Sequence, residues 1–305
     1  MSTAQDRPLA ISLLLGVSGW VAGLFMLVFV AILFHPTDAS QAAVSGALLL
    51  AAAWGLFKVD GDGEQVFVAQ LALALSIAGQ CLMLFAMSEH AHGIAPIASA
   101  ALLLQTVLAL AMPNRLHRAL STLFATIAWA LTLRFALFGE VDHWRGDTTA
   151  RVASLPLALA GWLFAWGPVA AGLGWAIRSE PTWTARGWSP VLRPILTGLI
   201  VGLAFATLAS RPFESFRWFG SGQIDTGGLA LWPLLSALGA LGAVAAAFAR
   251  RQRALMAVCV VAVLGHVAHF YYALGTSLLM KSLLMLAMGA VFVATARALA
   301  AKENA

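Results

Sequence analysis

Between Leu9 and Phe34 the chain runs for 26 residues without one charged side chain. The hydrocarbon core of a bilayer is about 30 Å thick and an α-helix rises about 1.5 Å per residue, so about 20 apolar residues cross it. A peptide group left unpaired in lipid costs several kcal/mol, which forces such a run to close its hydrogen bonds on itself as a helix. A secretory signal has a shorter apolar core, about 7–15 residues, followed by a small-residue cleavage site. This run is too long and lacks that site, so it is expected to remain as a first membrane span.

The same texture continues along all 305 residues. Hydrophobic residues make up 61% of the chain and charged residues 10%, against about 45–50% and about 25% in soluble domains. No globular core hides that much apolar surface. The sequence therefore reads as an all-α polytopic membrane protein, a single integral membrane domain over residues 1–305 with about ten transmembrane helices. The apolar runs are Leu9–Phe34, Ala42–Phe57, Val66–Met87, Ile94–Met112, Ala119–Phe138, Ala153–Ile177, Val191–Ala209, Gly228–Phe248, Ala254–Tyr272 and Leu274–Ala296. The second is short, and the last two form a tight hairpin about Ala273. "PNRLHR" (Pro113 to Arg118) and "ARRQR" (Ala249 to Arg253) read as helix stops.

Lys and Arg set the orientation. With the N-terminus inside, twelve of the 18 cations fall in inner segments, four (Arg145, Arg151, Arg211 and Arg217) in outer loops, and Arg134 and Lys281 within spans. The predicted topology is N-in and C-in. "SLLLGVSGW" (Ser12 to Trp20) and "SLPLALAGW" (Ser154 to Trp162) share five of nine positions and open the first and sixth runs. Five spans per half would make the halves inverted copies, as in many transporters, although Leu, Ala and Gly are common enough here to match by chance. The net charge of +5 does not indicate nucleic acid, because the basic residues punctuate apolar spans and form no stripe. Cys81 and Cys259 lie in apolar spans and read as small buried hydrophobes that do not pair.

All 13 acidic residues fall outside these runs. The ionisable groups inside them are Arg134, His266, His269 and Lys281, and each is a functional candidate because burying it in a membrane is costly. Lys281 is seven residues past Leu274, about 10 Å below the outer surface. His266 is expected at the same depth on the facing helix, with His269 and Tyr272 following and Gln80 joining from the third run. Lys281, His266, His269, Gln80, Tyr272 and Arg134 thus make a candidate binding layer in the outer third of the membrane. Without a carboxylate in the spans, Lys281 would take hydrogen bonds, lose its proton or meet an anion from outside. The competing readings are that Lys281 and Arg134 snorkel to the headgroups, that the histidines are satisfied interior side chains, and that Tyr272 belongs to the interfacial belt.

In the outer loop from Ser210 to Gly228, Phe213, Phe216, Trp218 and Phe219 interleave with charges. This is an interfacial segment or a docking surface for an extracytoplasmic partner. His35, His90, His92 and His143 are metal-competent donors, but nothing fixes their geometry, and neither a metal nor a cofactor is assigned. Gly167-Pro168 predicts a kink, and Gly239 with Gly242 predicts a close-packing face. No nucleophile elbow, Walker loop or HExxH appears, which weighs against an enzyme.

The segments "SGWVAGLF" (Ser18 to Phe25), "LALALSIAGQ" (Leu71 to Gln80), "PNRLHRAL" (Pro113 to Leu120) and "FYYALGTSLLMKSLLMLAMG" (Phe270 to Gly289) resemble a bacterial membrane family catalogued as domain of unknown function 4401. The hairpin ending in Lys281-Ser282 is the most specific part, and Gln80, His117 and Lys281 match positions of its pattern. The resemblance implies a multi-pass protein of the bacterial inner (cytoplasmic) membrane. It also implies a neighbour, a membrane-anchored protein with a GDYXXLXY motif, as partner. The expected function is a non-enzymatic one with that partner, through the outer-face polar layer. The alternative is a small-solute or anion transporter using the same layer.

Overall fold

The apolar runs fold as ten α-helices among the described residues, with no strand: α1 (Leu9–Phe34), α2 (Ala39–Asp60), α3 (Val66–Ser88), α4 (Ile94–Ala111), α5 (Arg115–Phe138), α6 (Leu155–Ala185), α7 (Ser189–Phe205), α8 (Trp232–Ala249), α9 (Arg253–Ala273) and α10 (Leu278–Glu303). The computed structural model describes residues 9–34, 38–60, 65–89, 91, 93–139, 154–205, 232–273 and 277–303. Six helices (α2 to α6 and the stretch Leu278–Arg297 of α10) are long and apolar enough to cross a membrane, and α1, α7, α8 and α9 contribute shorter apolar stretches. The chain is a helical membrane protein.

Polar side chains move several helix ends away from the limits of the apolar runs. The second helix is not short, because it starts at Ala39. Asp38 Oδ1 caps it, accepting hydrogen bonds from Ser40 Oγ at 2.6 Å and Gln41 N at 2.8 Å, as a helix start requires. The fifth starts at Arg115, ahead of the expected Ala119. Asn114 Oδ1 accepts the His117 amide at 3.0 Å, so part of the "PNRLHR" stop is already a capped first turn. The sixth continues past Ile177 to Ala185, through Pro168 and Pro181, and this carries Glu180 onto a helix instead of a loop. The last starts at Leu278 and not Leu274: Ser277 accepts the Lys281 amide on its carbonyl at 3.1 Å and the Met280 amide on its hydroxyl at 3.4 Å.

Two compact units divide the chain, Met1–Ala125 and Thr126–Ala305. In the first, α3 packs against α1, α2 and α4. Gly19 and Gly23, one turn apart on α1, lie against Gln70 and Ala74, and neither position has room for a Cβ. Gly46 on α2 and Gly79 on α3 meet backbone to backbone, where a Cβ on either would stand 2.8 Å from the other's carbonyl oxygen. Such small-residue contacts take the place of hydrophobic burial, which drives nothing in lipid. Around them Leu49 and Ala53 pack on Leu75 and Ala78, while Phe57, Leu73, Leu108 and Met112 form a second cluster.

In the second unit, Trp166, Leu196, Ile200, Val244 and Cys259 center a core drawn from α6 to α9. Its tight approach is Gly202 against Thr126. At the expected close-packing face Ala240, Ala243 and Ala247 are fully buried, while a Cβ on Gly239 comes no nearer than 3.7 Å to a neighbour and Gly242 has open space. Buried indoles donate to α6, Trp232 Nε1 to Ala158 O at 2.8 Å and Trp129 Nε1 to Ala165 O at 2.9 Å. The second bond lies one residue from Phe164, whose carbonyl Pro168 deprives of its helical amide. Helix α10 lies against the unit through Met288 and Phe292. Only 6% of its apolar stretch is buried, against 44% for α3.

Candidate functional site

Five buried polar side chains meet in the first unit. Ser76 and Gln80 stand one turn apart near the middle of α3, Gln105 comes from α4, and His117 and Ser121 from the first turns of α5. Ser76 Oγ lies 2.6 Å from His117 Nε2, and Gln80 Nε2 is 3.1 Å from Ser76 Oγ and 3.4 Å from the same imidazole nitrogen. Gln105 Nε2 donates to Gln80 Oε1 at 2.6 Å, and Ser121 Oγ is 3.2 Å from His117 Nδ1. The edge of the imidazole meets the Phe57 ring of α2 at 5.7 Å between centroids.

Counting donors leaves two proton arrangements. With the proton on Nδ1, every bond runs one way: Gln105 to Gln80, Gln80 to Ser76, Ser76 to Nε2, and Nδ1–H to Ser121. Turning both amides and moving the proton to Nε2 reverses the whole chain at the same distances. In the arrangement drawn, Gln105 Oε1 is left buried without a hydrogen bond. Ser76 and His117 have the separation of a nucleophile and its base. They are 0% and 1% exposed. The node is neutral, and what it does chemically is orient and tie: it joins α3, α4 and α5 by hydrogen bonds that have no competition from water.

The sequence-predicted residues are not gathered by this node, apart from Gln80. His266 lies fully buried in the second unit, with Nε2 2.6 Å from Ala204 O. A carbonyl only accepts, so His266 carries its proton on Nε2 and ties α9 to α7. Lys281 is three residues past Leu278, about 5 Å along α10, and His266 is seven residues before Ala273 on α9. Lys281 is partly buried on a helix that is mostly exposed.

Arg134 is 6% exposed, donates from Nη1 to Gly139 O at 3.2 Å, and covers the rings of Phe135 and Phe138 at 5.1 and 5.8 Å. Gly139 has φ of 71°, the left-handed residue that ends a helix, so Arg134 caps the helix that bears it. The side chains of His269 and Tyr272 lie outside the described residues, as do Phe213, Phe216, Trp218 and Phe219. Among the described residues no group of three His, Cys, Asp or Glu could hold a metal. Cys81 is exposed and Cys259 buried, both as free thiols.

A family model described as Domain of unknown function (DUF4401) matches residues 8–301. The chain belongs to this family. No curated protein and no solved structure matches it. The DUF4401 match spans both units, so the polar node and the His266–Ala204 bond are parts of one family sequence. Ser76, Gln105 and Ser121 carry no ionisable group and were not among the residues expected from the sequence. The signal that finds them is polar side chains at mid-helix positions of apolar runs, with Ser76 and Gln80 spaced four apart on one face.

Proposed function

We propose that the protein is a non-enzymatic, multi-pass protein of the bacterial inner membrane that holds an extracytoplasmic, membrane-anchored partner. Both termini face the cytoplasm in this reading. A five-plus-five inverted-repeat organisation belongs to it too, supported by the paired openings of α1 and α6. The observation that carries the reading is an open apolar groove of about 730 Å³ where α2 begins, α3 ends and α4 begins, lined by Ala39, Ala43, Met83, Met87, Ala91 and Pro96. The Lys/Arg bias puts this end of the first unit outside. Alanines permit close approach of another chain, and methionines adapt to its shape. The occupant that fits is the apolar anchor of a partner such as the GDYXXLXY-type protein.

The test is Ala43→Trp, which fills the groove from a partly buried position. Purified from native membranes, the variant is expected to keep its abundance and lose its partner about tenfold, a change of about 1.4 kcal/mol. A partner retained at wild-type stoichiometry sinks the proposal. Small-solute transport is the second reading, favoured by the mid-membrane node with its unmet Gln105 atom. A solute flux in proteoliposomes that Gln105→Leu stops would support it instead.

A further inference from the structure

One end of the second unit collects charge. Glu180, near the end of α6, forms an ion pair with Arg193 Nε of α7 at 3.4 Å and accepts a hydrogen bond from Arg250 Nη1 just after α8. Arg178 and Arg186 flank it in sequence, and Arg251 and Arg253 follow Arg250. These six arginines and one carboxylate hold a charge equal to the net +5 of the whole chain, because the remaining twelve cations and twelve acids balance. An excess of cations at one membrane face is needed for orientation alone, and extended, solvated side chains satisfy that need. Arg250 is not such a side chain: it is 7% exposed, and its buried Nε has no hydrogen bond.

Indoles adjoin this charge. Trp183 meets Trp175 and Trp188 edge to face, at 6.0 and 6.2 Å between centroids. Trp175 and Trp188 expose 60% and 53% of their surface. Tryptophan settles at headgroup level, with its ring toward the acyl chains and its N–H toward water. The guanidinium fork matches a phosphate, and basic sites between helices at that level take lipid headgroups.

We propose that this end of the second unit binds the phosphate of an anionic lipid headgroup, with Arg193 and Arg250 as its ligands and Trp183 and Trp188 against the glycerol and upper acyl chains. Glu180 holds the two guanidinium groups in place and does not cancel them, since it offers one charge to two.

The experiment uses the full chain in non-ionic detergent, with equimolar phosphatidylglycerol and phosphatidylcholine, read by native mass spectrometry. The expected result is phosphatidylglycerol retained about tenfold over phosphatidylcholine. Arg193→Gln, at a side chain 60% exposed, is expected to leave the fold intact and cut the preference to about twofold. Arg250→Lys keeps the charge, loses the fork, and is expected to do the same. Equal retention of the two lipids by the wild-type protein overturns the proposal, as does an undiminished preference in either variant. If millimolar inorganic phosphate raises the thermal midpoint as far as phosphatidylglycerol does, the ligand is the free anion and the lipid assignment falls.

Discussion

Replacing Gln80 by leucine keeps much of the side-chain volume and deletes the center of the polar node. Two interhelical hydrogen bonds go with it, the 2.6 Å bond from Gln105 and the 3.4 Å contact with His117. Interhelical bonds in membranes average about 0.6 kcal/mol each, so their direct loss comes to about 1 kcal/mol. The larger effect is on what remains. Gln105 is 4% exposed and keeps neither amide atom satisfied, and a buried polar group without a partner costs about 1–3 kcal/mol. Gln80→Leu is therefore expected to destabilise the protein by about 2–4 kcal/mol. Adding Gln105→Leu removes the stranded amide, and the double variant should sit only about 1 kcal/mol below wild type. The assay is reversible unfolding in bicelles for the wild type, both single variants and the double variant. A double variant whose loss equals the sum of the single losses would refute the node as a coupled unit.

Gly46→Val should cost about 1–3 kcal/mol by overpacking, while Gly55→Val on the same helix, with nothing within 4 Å, should leave packing unaltered; equal melting shifts in the two would contradict the backbone contact at Gly79. The Asp38 carboxylate is held below its ordinary pKa of 3.8 by the Ser40 hydroxyl first and then the Gln41 amide. A lowered value means that its contribution is fully present above the ordinary pKa and is lost as pH falls through the lowered one. Asp38→Asn should therefore flatten stability against pH below about 3.8, and identical acid limbs for the two proteins would deny the cap a role. Lys281→Met removes a cation from a helix N-terminus, where the dipole disfavours it, so stability should stay level or rise by about 0.3–1 kcal/mol; loss of partner or lipid binding by this variant would restore Lys281 as a binding residue.

The helices were legible because an uncharged run of some 20 residues has one way to meet its backbone in lipid. Their ends were less so, since apolarity marks where a helix is immersed and a cap marks where it begins. Asp38, Asn114 and Ser277 each shifted a boundary by three or four residues, and at Ser277 the shift put Lys281 in the first turn of α10. Charge misled in the opposite sense: the sixth run stops at Ile177 before Arg178, yet α6 continues to Ala185 with Glu180 tied to arginines of neighbouring elements. Of the candidate residues, Gln80 was recognisable by its place in an apolar run. Its partners needed a register between helices that no single run contains, because Gln105 and His117 approach it from 25 and 37 residues away. His266 was visible as a buried imidazole, but its bond to Ala204 depends on the register between α9 and α7.

Helix α6 has one further consequence. Its 31 residues span about 46 Å, some 16 Å more than the hydrocarbon layer. Submerging all of it would take a tilt of about 50°, beyond the 0–40° that membrane helices adopt. Leu155 to Ile177 alone is about 34 Å long and matches the layer at a tilt of about 30°, within that range. The two turns from Arg178 to Ala185 therefore stand clear of the acyl chains, and Glu180 with its arginines marks the level where the oil ends. A thicker bilayer would draw that level over the ion pair, and the helix would resist by standing more upright. Acyl-chain length then sets the lean of the longest helix in the second unit.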